Sequence, residues 1–363
     1  MSERISAQEA IALFENGELL DVGLAADAVC RRMHPEPHRT YVVDRNINYT
    51  NICISGCKFC AFYRDADSPD AYLLSDAEVH TKISEAVELG ATQILMQGGL
   101  HPDLDIAYYE RLVRGIKDRF KVHVHSFSPP EIVHIAQVSG LSIEETISRL
   151  RAAGLDSIPG GGAEILTDGS RQSLSPNKCS AGEWLMVMET AHRLGLPTTA
   201  TMMFGHGETF GERVEHLVRI RELQDRTGGF TAFIPWTFQP ENTELGGSTF
   251  AKETSPRLRR PRASADKQAV GGYDYLRTLA ISRLFLDNVP NIQASWVTQG
   301  EKVGQVALHF GANDLGSTMI EENVVAAAGV RFRMSEEELR RAISEAGFEP
   351  RKRDTYYRIL EGQ

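Results

Sequence analysis

The sequence has no long apolar run, no basic excess and few cysteines for its length. Its hydrophobic stretches, such as Ile94 to Met96, fall far short of the ~20 residues a membrane-spanning helix needs. The opening MSERISAQEA lacks the apolar core of a secretory signal. Both absences predict a soluble, cytoplasmic chain with no membrane partner. Lysine and arginine number 39 against 49 acidic residues, a formal net charge of -10, which argues against the basic footprint of a nucleic-acid binder. No repeat at the ~20–50-residue periods of solenoids or propellers is present. The five cysteines, Cys30, Cys53, Cys57, Cys60 and Cys179, do not make a disulfide framework. Three of them fall between positions 53 and 60, and in a reducing compartment such crowding points to metal ligation or redox chemistry.

What is present is a rhythm. At 363 residues, 42% of them hydrophobic, the chain is large enough for one big barrel or two ordinary domains. Short β-rich runs at Asn46 to Asn51, Thr92 to Met96, Lys121 to Phe127, Asp156 to Pro159, Thr198 to Phe204, Thr231 to Phe238 and Asn291 to Val297 alternate with helical patterns. A weaker run lies near His309 to Asn313. This alternation is the signature of a parallel sheet built from βα units, and it predicts an α/β fold, a (β/α)8 TIM-type barrel, with a doubly wound open sheet as the alternative. Ser75 with Glu78, Ser142 with Glu145 and Thr209 with Glu212 predict capping boxes. Gly90, Gly154 and Gly195 stand where a left-handed helix end is wanted. Residues 1–40 read as helices whose Ile11, Leu13, Phe14, Leu19 and Leu20 are available to cover an end of the barrel. The barrel is expected over 41–316 and a small α/β extension over 317–363, with a capped helix from Ser335 to Gly347 and a strand at Thr355 to Leu360. Gly246 to Gly272, with six basic and two acidic residues, reads as a solvated or disordered loop in preference to a substrate lid or a docking patch.

The segment that carries chemistry runs Asn46-Ile-Asn-Tyr-Thr-Asn-Ile-Cys53-Ile-Ser-Gly-Cys57-Lys-Phe-Cys60-Ala-Phe-Tyr-Arg64. Three thiolates at this spacing, just after a strand, wrap a loop round one cubane and ligate three of its four irons. An electron-transfer cluster normally uses four cysteines, so a three-cysteine loop leaves one iron open, the condition for catalysis rather than electron carriage. A zinc site would normally add a second close pair of ligands, and Cys30 and Cys179 are distant and unpaired; both read as inert packing or surface thiols. Gly56 gives the loop backbone freedom.

The CxxxCxxC spacing, with Phe59 before the last cysteine, resembles the radical S-adenosylmethionine superfamily. The resemblance implies a 4Fe-4S cluster on Cys53, Cys57 and Cys60, S-adenosylmethionine chelated to the open iron, and cleavage of its sulfonium to a 5′-deoxyadenosyl radical by an electron from a donor such as flavodoxin or ferredoxin. Gly98-Gly99 resembles the superfamily's glycine-rich segment that lets backbone approach the methionine amino group, with Leu100 in place of the usual acidic residue. Across Asp44 to Asn51, Cys60 to Arg64, Gln97 to Pro102, His125-Ser-Phe-Ser-Pro-Pro-Glu131, Pro159 to Glu164 and Asn291 to Trp296, the chain resembles the dehypoxanthine futalosine cyclases of the futalosine route to menaquinone. Several segments are shared with their relatives, the aminofutalosine synthases and the deazaflavin-forming synthases. The resemblance implies a nucleoside-derived small-molecule substrate, cofactor contacts at Phe59, Gly98, Gly99, Ser126 and Glu131, and catalytic positions at Tyr63, His125 and Glu164.

The same residues admit other readings. His123 and His125 share one face of a strand, so a barrel metal hydrolase using that pair, with His206 and Asp314 as further ligands, is an alternative of a different class; it leaves the three cysteines without a purpose. His101, His125 and His206 serve equally as interior hydrogen-bonding groups or in catalysis, and they lie with Glu164 at strand ends where barrel active sites collect. Glu164 either contacts the nucleoside or holds its own glycine-rich loop. Arg64 is either a partner for a benzoate or half of an exposed salt bridge.

Overall fold

A computed structural model describes residues 4–250 and 270–360. The strands are β1 (His38–Val42), β2 (Asp44–Ile47), β3 (Gln93–Met96), β4 (His123–Ser126), β5 (Thr198–Phe204), β6 (Phe230–Thr237), β7 (Asn291–Ile292), β8 (Asp314–Ser317) and β9 (Glu349–Lys352). β1 and β2 form one bent stave, interrupted only by Val43. β2 pairs with β3 and β3 with β4, all parallel. His125 of β4 bridges to Ser157, and Ile158 bridges to Thr198 of β5. β5, β6 and β7 continue the series, Gln293 just after β7 bridges to Asp314 of β8, and β8 returns to β1. The ring is therefore closed and parallel throughout, a (β/α)8 barrel, and the open-sheet alternative is excluded.

The helices between the staves begin where the sequence predicts. Ser75, Ser142 and Thr209 each exchange reciprocal bonds with the glutamate three residues on, satisfying backbone donors that the first helical turn leaves free. Gly90, Gly154 and Gly195 have φ of +84°, +113° and +76°. In the helix Ile106–Lys117, Ile106, Tyr109, Val113 and Ile116 are buried on one face, as their three- and four-residue spacing requires.

Several boundaries differ from the sequence reading. The first strand opens at His38, eight residues before Asn46. β7 ends at Ile292 because a short helix, Trp296–Gln299, takes over. The last barrel strand is Asp314–Ser317 rather than His309 to Asn313, because Gly311 turns the chain with φ +104°. Thr355 to Leu360 is not a strand; β9 lies upstream and Tyr357 has φ +62°. The amino-terminal helices, Ala7–Asn16 and Leu19–Met33, pack on the outer helices Phe210–Thr227 and Gly272–Phe285 instead of covering a barrel end. Phe14 is buried there, whereas Leu20 is 70% exposed. The 246–272 loop falls largely outside the described residues.

What closes the amino-terminal mouth of the barrel is the carboxyl-terminal tail. β9 lies parallel to β1, and the chain then turns inward. Arg353 binds Asp314 through Nε at 2.5 Å and Nη2 at 3.1 Å, the Thr355 hydroxyl donates to Gln93 Oε1 at 2.5 Å, and Gln293 Nε2 donates to the Tyr357 hydroxyl at 2.8 Å. Gln93 and Asp314 are the first residues of their strands, so the tail forms the floor. It leaves the opposite, carboxyl-terminal face of the strands for the site, as barrels generally do.

Candidate active site

The loop after β2 is shaped by backbone bonds rather than by regular structure. Cys53 N donates to Arg64 O, Arg64 N to Asn51 O, Ile54 N to Leu100 O and Cys60 N to Cys57 O, all at 2.8–3.1 Å. Gly56, with φ +56°, makes the reversal a β-branched residue would resist. Arg64 clasps the loop it ends, donating Nη1 to the carbonyls of Ala61, Phe62 and Tyr63 and pairing Nε with Asp70 at 2.6 Å. The salt-bridge reading of Arg64 therefore stands over the benzoate one, because Nε and Nη1 are committed to Asp70 and the loop carbonyls and the side chain does not line the cavity that holds the cysteines.

Cys53, Cys57 and Cys60 line one cavity of about 220 Å³, together with Phe59, Tyr63, Gly98, Gly99, Glu131, Glu164 and Lys178. All three thiols are free. Burial pushes the Cys53 and Cys60 thiols up, against backbone N–H bonds from Leu100 and Ser55 to Cys53 and from Phe62 and Tyr63 to Cys60. Such bonds favour the thiolate and are the means by which proteins tune cluster sulfurs. The Ser55 hydroxyl is 3.0 Å from Cys57 Sγ. Among the described residues no three His, Cys, Asp or Glu side chains converge on a single metal ion; a cubane takes each cysteine on a separate iron and needs no such convergence. The residues present fit that group.

Among the described residues that line this cavity, Lys178 is the cation. Its ammonium lies 2.9 Å from Glu164 Oε1 and 5.2 Å from the Phe59 ring centroid. Burial works against its charge, but Cys57 and Glu164 more than offset this and hold its pKa above the ordinary lysine value. Glu164, at φ +42°, also faces Arg171 at 3.6 Å, and Arg171 is anchored on the carbonyls of Gly162, Ala163 and Cys179. Glu164 thus binds its own loop and orients Lys178. Sequence reasoning missed Lys178, which sits in an irregular segment with no periodicity to mark it.

Glu131 is spent on structure. Its carboxylate accepts from Tyr49 Oη, Gly98 N, Ser128 N and Ser128 Oγ at 2.6–3.0 Å, tying the start of the helix Pro129–Ser139 to the glycine segment. Burial raises its pKa, partly countered by those bonds. Ser126 lines neither this cavity nor the larger one in the barrel interior. Two-residue alternation puts His123 and His125 on the inner face of β4 and turns Ser126 outward, so it is Ser128 that reaches the cysteine cavity.

Gly98 and Gly99 are tight for different reasons. A side chain on Gly98 would enter the Tyr49 ring, at 2.5 Å from its Cζ, and one on Gly99 would stand 2.1 Å from Ile52 O and 2.8 Å from Cys53 Cβ. The close approach at Gly99 is thus to the cysteine loop itself. Gly99→Val is expected to displace Cys53, so that anaerobic reconstitution yields well under half the wild-type iron and sulfide. The electron paramagnetic resonance change on adding S-adenosylmethionine should vanish with it. Wild-type iron content in the variant would contradict this.

Below the cysteine cavity, the barrel interior holds a second one of about 290 Å³. Its lining includes Asn46, Gln93, His125, Thr201, Gln293, Trp296 and Glu322, and its floor is Arg353, Thr355 and Tyr357 from the tail. Gln97, Gly161, Trp236 and Val324 line both cavities, so the two meet. The size suits a small ligand, and amide-lined walls with a few charges suit a polar one. Burial pushes His125 down to about 3, with His123 and Arg353 adding to the effect, so its imidazole is neutral.

The remaining candidates lie elsewhere. His101 accepts from Asp103 N at 3.2 Å, and His206 sits 3.3 Å from Glu208; neither lines the two cavities. His123 and His125 both bind the Ser157 hydroxyl and Asp314 binds Arg353, so the metal-hydrolase set is not assembled.

Fold and site together define a radical S-adenosylmethionine barrel enzyme, and residues 47–220 match the radical SAM superfamily. Residues 227–362 match the CofH/MqnC C-terminal region, and the chain belongs to the branch of that superfamily which carries this region. It is 48% identical over 359 residues to a cyclic dehypoxanthine futalosine synthase of Halalkalibacterium halodurans, covering 99% of this chain and 92% of that one. It is 46% identical over 326 residues to a 5-amino-6-(D-ribitylamino)uracil–L-tyrosine 4-hydroxyphenyl transferase of Archaeoglobus fulgidus, covering 89% of each. Among solved structures, the hydrogenase maturase HydG of Carboxydothermus hydrogenoformans superposes with a TM-score of 0.74 at 16% identity, over 98% of this chain and 78% of that one. Methylornithine synthase (PylB) gives 0.71 at 16% identity over 96% and 95%. At that identity the likeness is one of fold. No described helix is long and apolar enough to cross a membrane.

Proposed function

We propose that this chain converts dehypoxanthine futalosine to its cyclic form on the route to menaquinone, with a 4Fe-4S cluster on Cys53, Cys57 and Cys60. The observation that carries the reading is the junction of the two cavities: a group activated beside the cysteines meets, across Gln97 and Trp236, a ligand held in the barrel. The choice of substrate is supported by the 48% identity to a protein of that name across nearly the full chain.

Ring closure requires a carbon–carbon bond at an unactivated ribose carbon, and a C4′ proton is far too weakly acidic for any side chain to remove. The cluster and S-adenosylmethionine, when bound, supply a 5′-deoxyadenosyl radical that takes a hydrogen atom instead. The protein's part is placement and exclusion of water. Lys178, held by Glu164 and backed by Phe59, offsets the negative charge of the thiolates. Gly98, fixed through Glu131 and seated on Tyr49, sets the wall opposite the cysteine loop. Gln97, Trp236 and Tyr63 confine the reacting centre, and the tail residues Thr355 and Tyr357 seal the far end. A reduced flavodoxin or ferredoxin in the cytoplasm supplies the electron.

Substrate deuterated at C4′ is expected to give 5′-deoxyadenosine carrying one deuterium together with a spirocyclic product, read by mass spectrometry. Deuterium retained in the product, or turnover only of an enolpyruvyl ether or of tyrosine with a ribitylaminouracil, would move the chain to one of its relatives.

A further inference from the structure

Ring closure on an arene leaves a hydrogen on a ring carbon that must depart before aromaticity returns, and the barrel around it is floored and walled. Among the described residues a chain of groups runs from that interior to the outside. His125 lines the barrel cavity, and its Nδ1 is 2.6 Å from Ser157 Oγ. The same oxygen is 2.6 Å from His123 Nε2. Among the described residues neither His125 Nε2 nor His123 Nδ1 has a hydrogen-bond partner. His125 is 7% exposed, whereas His123, at the amino-terminal end of β4, is partly exposed. His123 stacks edge-on against Tyr356, whose own exposure is 45%.

A serine hydroxyl has one hydrogen and can donate to only one of two imidazoles, so the other must donate to it. With the hydroxyl donating to His123 Nε2, His125 carries its proton on Nδ1 and turns a bare Nε2 to the cavity. The two distances allow the reverse orientation equally; the outward-donating one is the orientation a relay uses. Each member then holds one proton toward its outer neighbour and one vacant lone pair toward the inner one.

We infer that His125, Ser157 and His123 form a proton relay that carries the ring proton of the cyclised intermediate out through the floor of the barrel. The inference rests on the cyclase reading. The ring C–H bond breaks and its proton goes to His125 Nε2; the surplus electron of the adduct would go to the oxidised iron–sulfur cluster that Cys53, Cys57 and Cys60 would hold. The Nδ1 proton of His125 passes to Ser157, the serine proton passes to His123 Nε2, and His123 Nδ1 releases its proton to solvent. The hydroxyl and both tautomers are then reversed, and they reset after product release, when His125 Nε2 gives its proton to water entering the open cavity and His123 Nδ1 takes one from solvent. No net charge is left in the interior. The depressed basicity of both rings, His125 at about 3 and His123 at about 4 chiefly through burial, suits carriage rather than storage, because neither ring keeps the proton. Asp156, Lys117, Asp354 and Arg358 face His123, and Arg353 faces His125.

The test separates hydrogen-atom abstraction from proton loss. With C4′-deuterated substrate and anaerobically reconstituted protein, Ser157→Ala should still transfer deuterium to 5′-deoxyadenosine, while cyclised product per 5′-deoxyadenosine falls by about 10²-fold, the scale of a lost acid–base group. His123→Gln, at a partly exposed position that tolerates change, keeps a hydrogen bond to Ser157 but cannot pass a proton and should uncouple in the same direction. In both, the solvent deuterium isotope effect on product formation should rise above that of the wild type. Deuterium transfer with the wild-type product ratio in both variants would overturn the relay alone. Absence of deuterium transfer in the wild-type protein would overturn the cyclase reading and the relay with it.

Discussion

Replacing any one of Cys53, Cys57 and Cys60 by alanine is expected to abolish the cluster and, with it, all turnover. The wild-type chain, reconstituted without oxygen, should take up about four irons and four sulfides, and each variant should lose both together, because a cubane held by only two protein thiolates would have two open irons. Cys30→Ala and Cys179→Ala should keep the wild-type content. Cys30 is buried on the inner face of the helix Leu19–Met33 with its thiol 3.7 Å from Ala312 O, and Cys179 Sγ lies 3.7 Å from Arg171 Nη2, outside the cysteine cavity. Iron and acid-labile sulfide analysis distinguishes the two groups of variants directly. Zinc without sulfide in protein prepared anaerobically would contradict the cluster.

Asp314→Ala should be among the most destabilising single changes outside the hydrophobic core. The Asp314 side chain is fully buried and that of Arg353 is 3% exposed. The carboxylate also accepts from Thr40 Oγ1 at 2.5 Å and from Gly316 N at 2.8 Å. Removing it strands a guanidinium in the barrel floor, and breaking a buried pair by deleting one partner costs ~3–5 kcal/mol. The double change Asp314→Leu with Arg353→Met should recover most of that loss, since both charges leave together. Urea unfolding of the cluster-free protein measures the difference. A midpoint for Asp314→Ala equal to wild type would show that the floor is not held by this pair.

The floor also explains why the second cavity could not be read from the sequence. Each contact that builds it joins positions some 40 to 260 apart, such as Arg353 with Asp314 and Thr355 with Gln93, and no local pattern marks a tail that folds into a barrel. The same holds for Ser157, which is unremarkable in sequence and becomes a bridge only when β4 lies beside it. Tyr63, by contrast, was legible as a site residue because it adjoins the cysteine motif. Arg64, adjoining the same motif, was not, since only the loop's geometry reveals that its Nε and Nη1 are spent on Asp70 and on its own loop's carbonyls.

The sequence by itself determined the βα order, the helix starts and the three-cysteine loop. Those features depend on short-range physics: two- and 3.6-residue periodicity, reciprocal capping bonds, and thiolates close enough in the chain to reach one cluster. Only the tertiary structure decided that the tail rather than the amino-terminal helices closes the barrel, that Glu131 and Arg64 brace the site, that Lys178 and the tail residues line its cavities, and that Ser157 joins His123 to His125. Those roles depend on which backbone segments the closed ring brings within hydrogen-bonding distance, and ring closure is a long-range fact that no window of neighbouring residues contains.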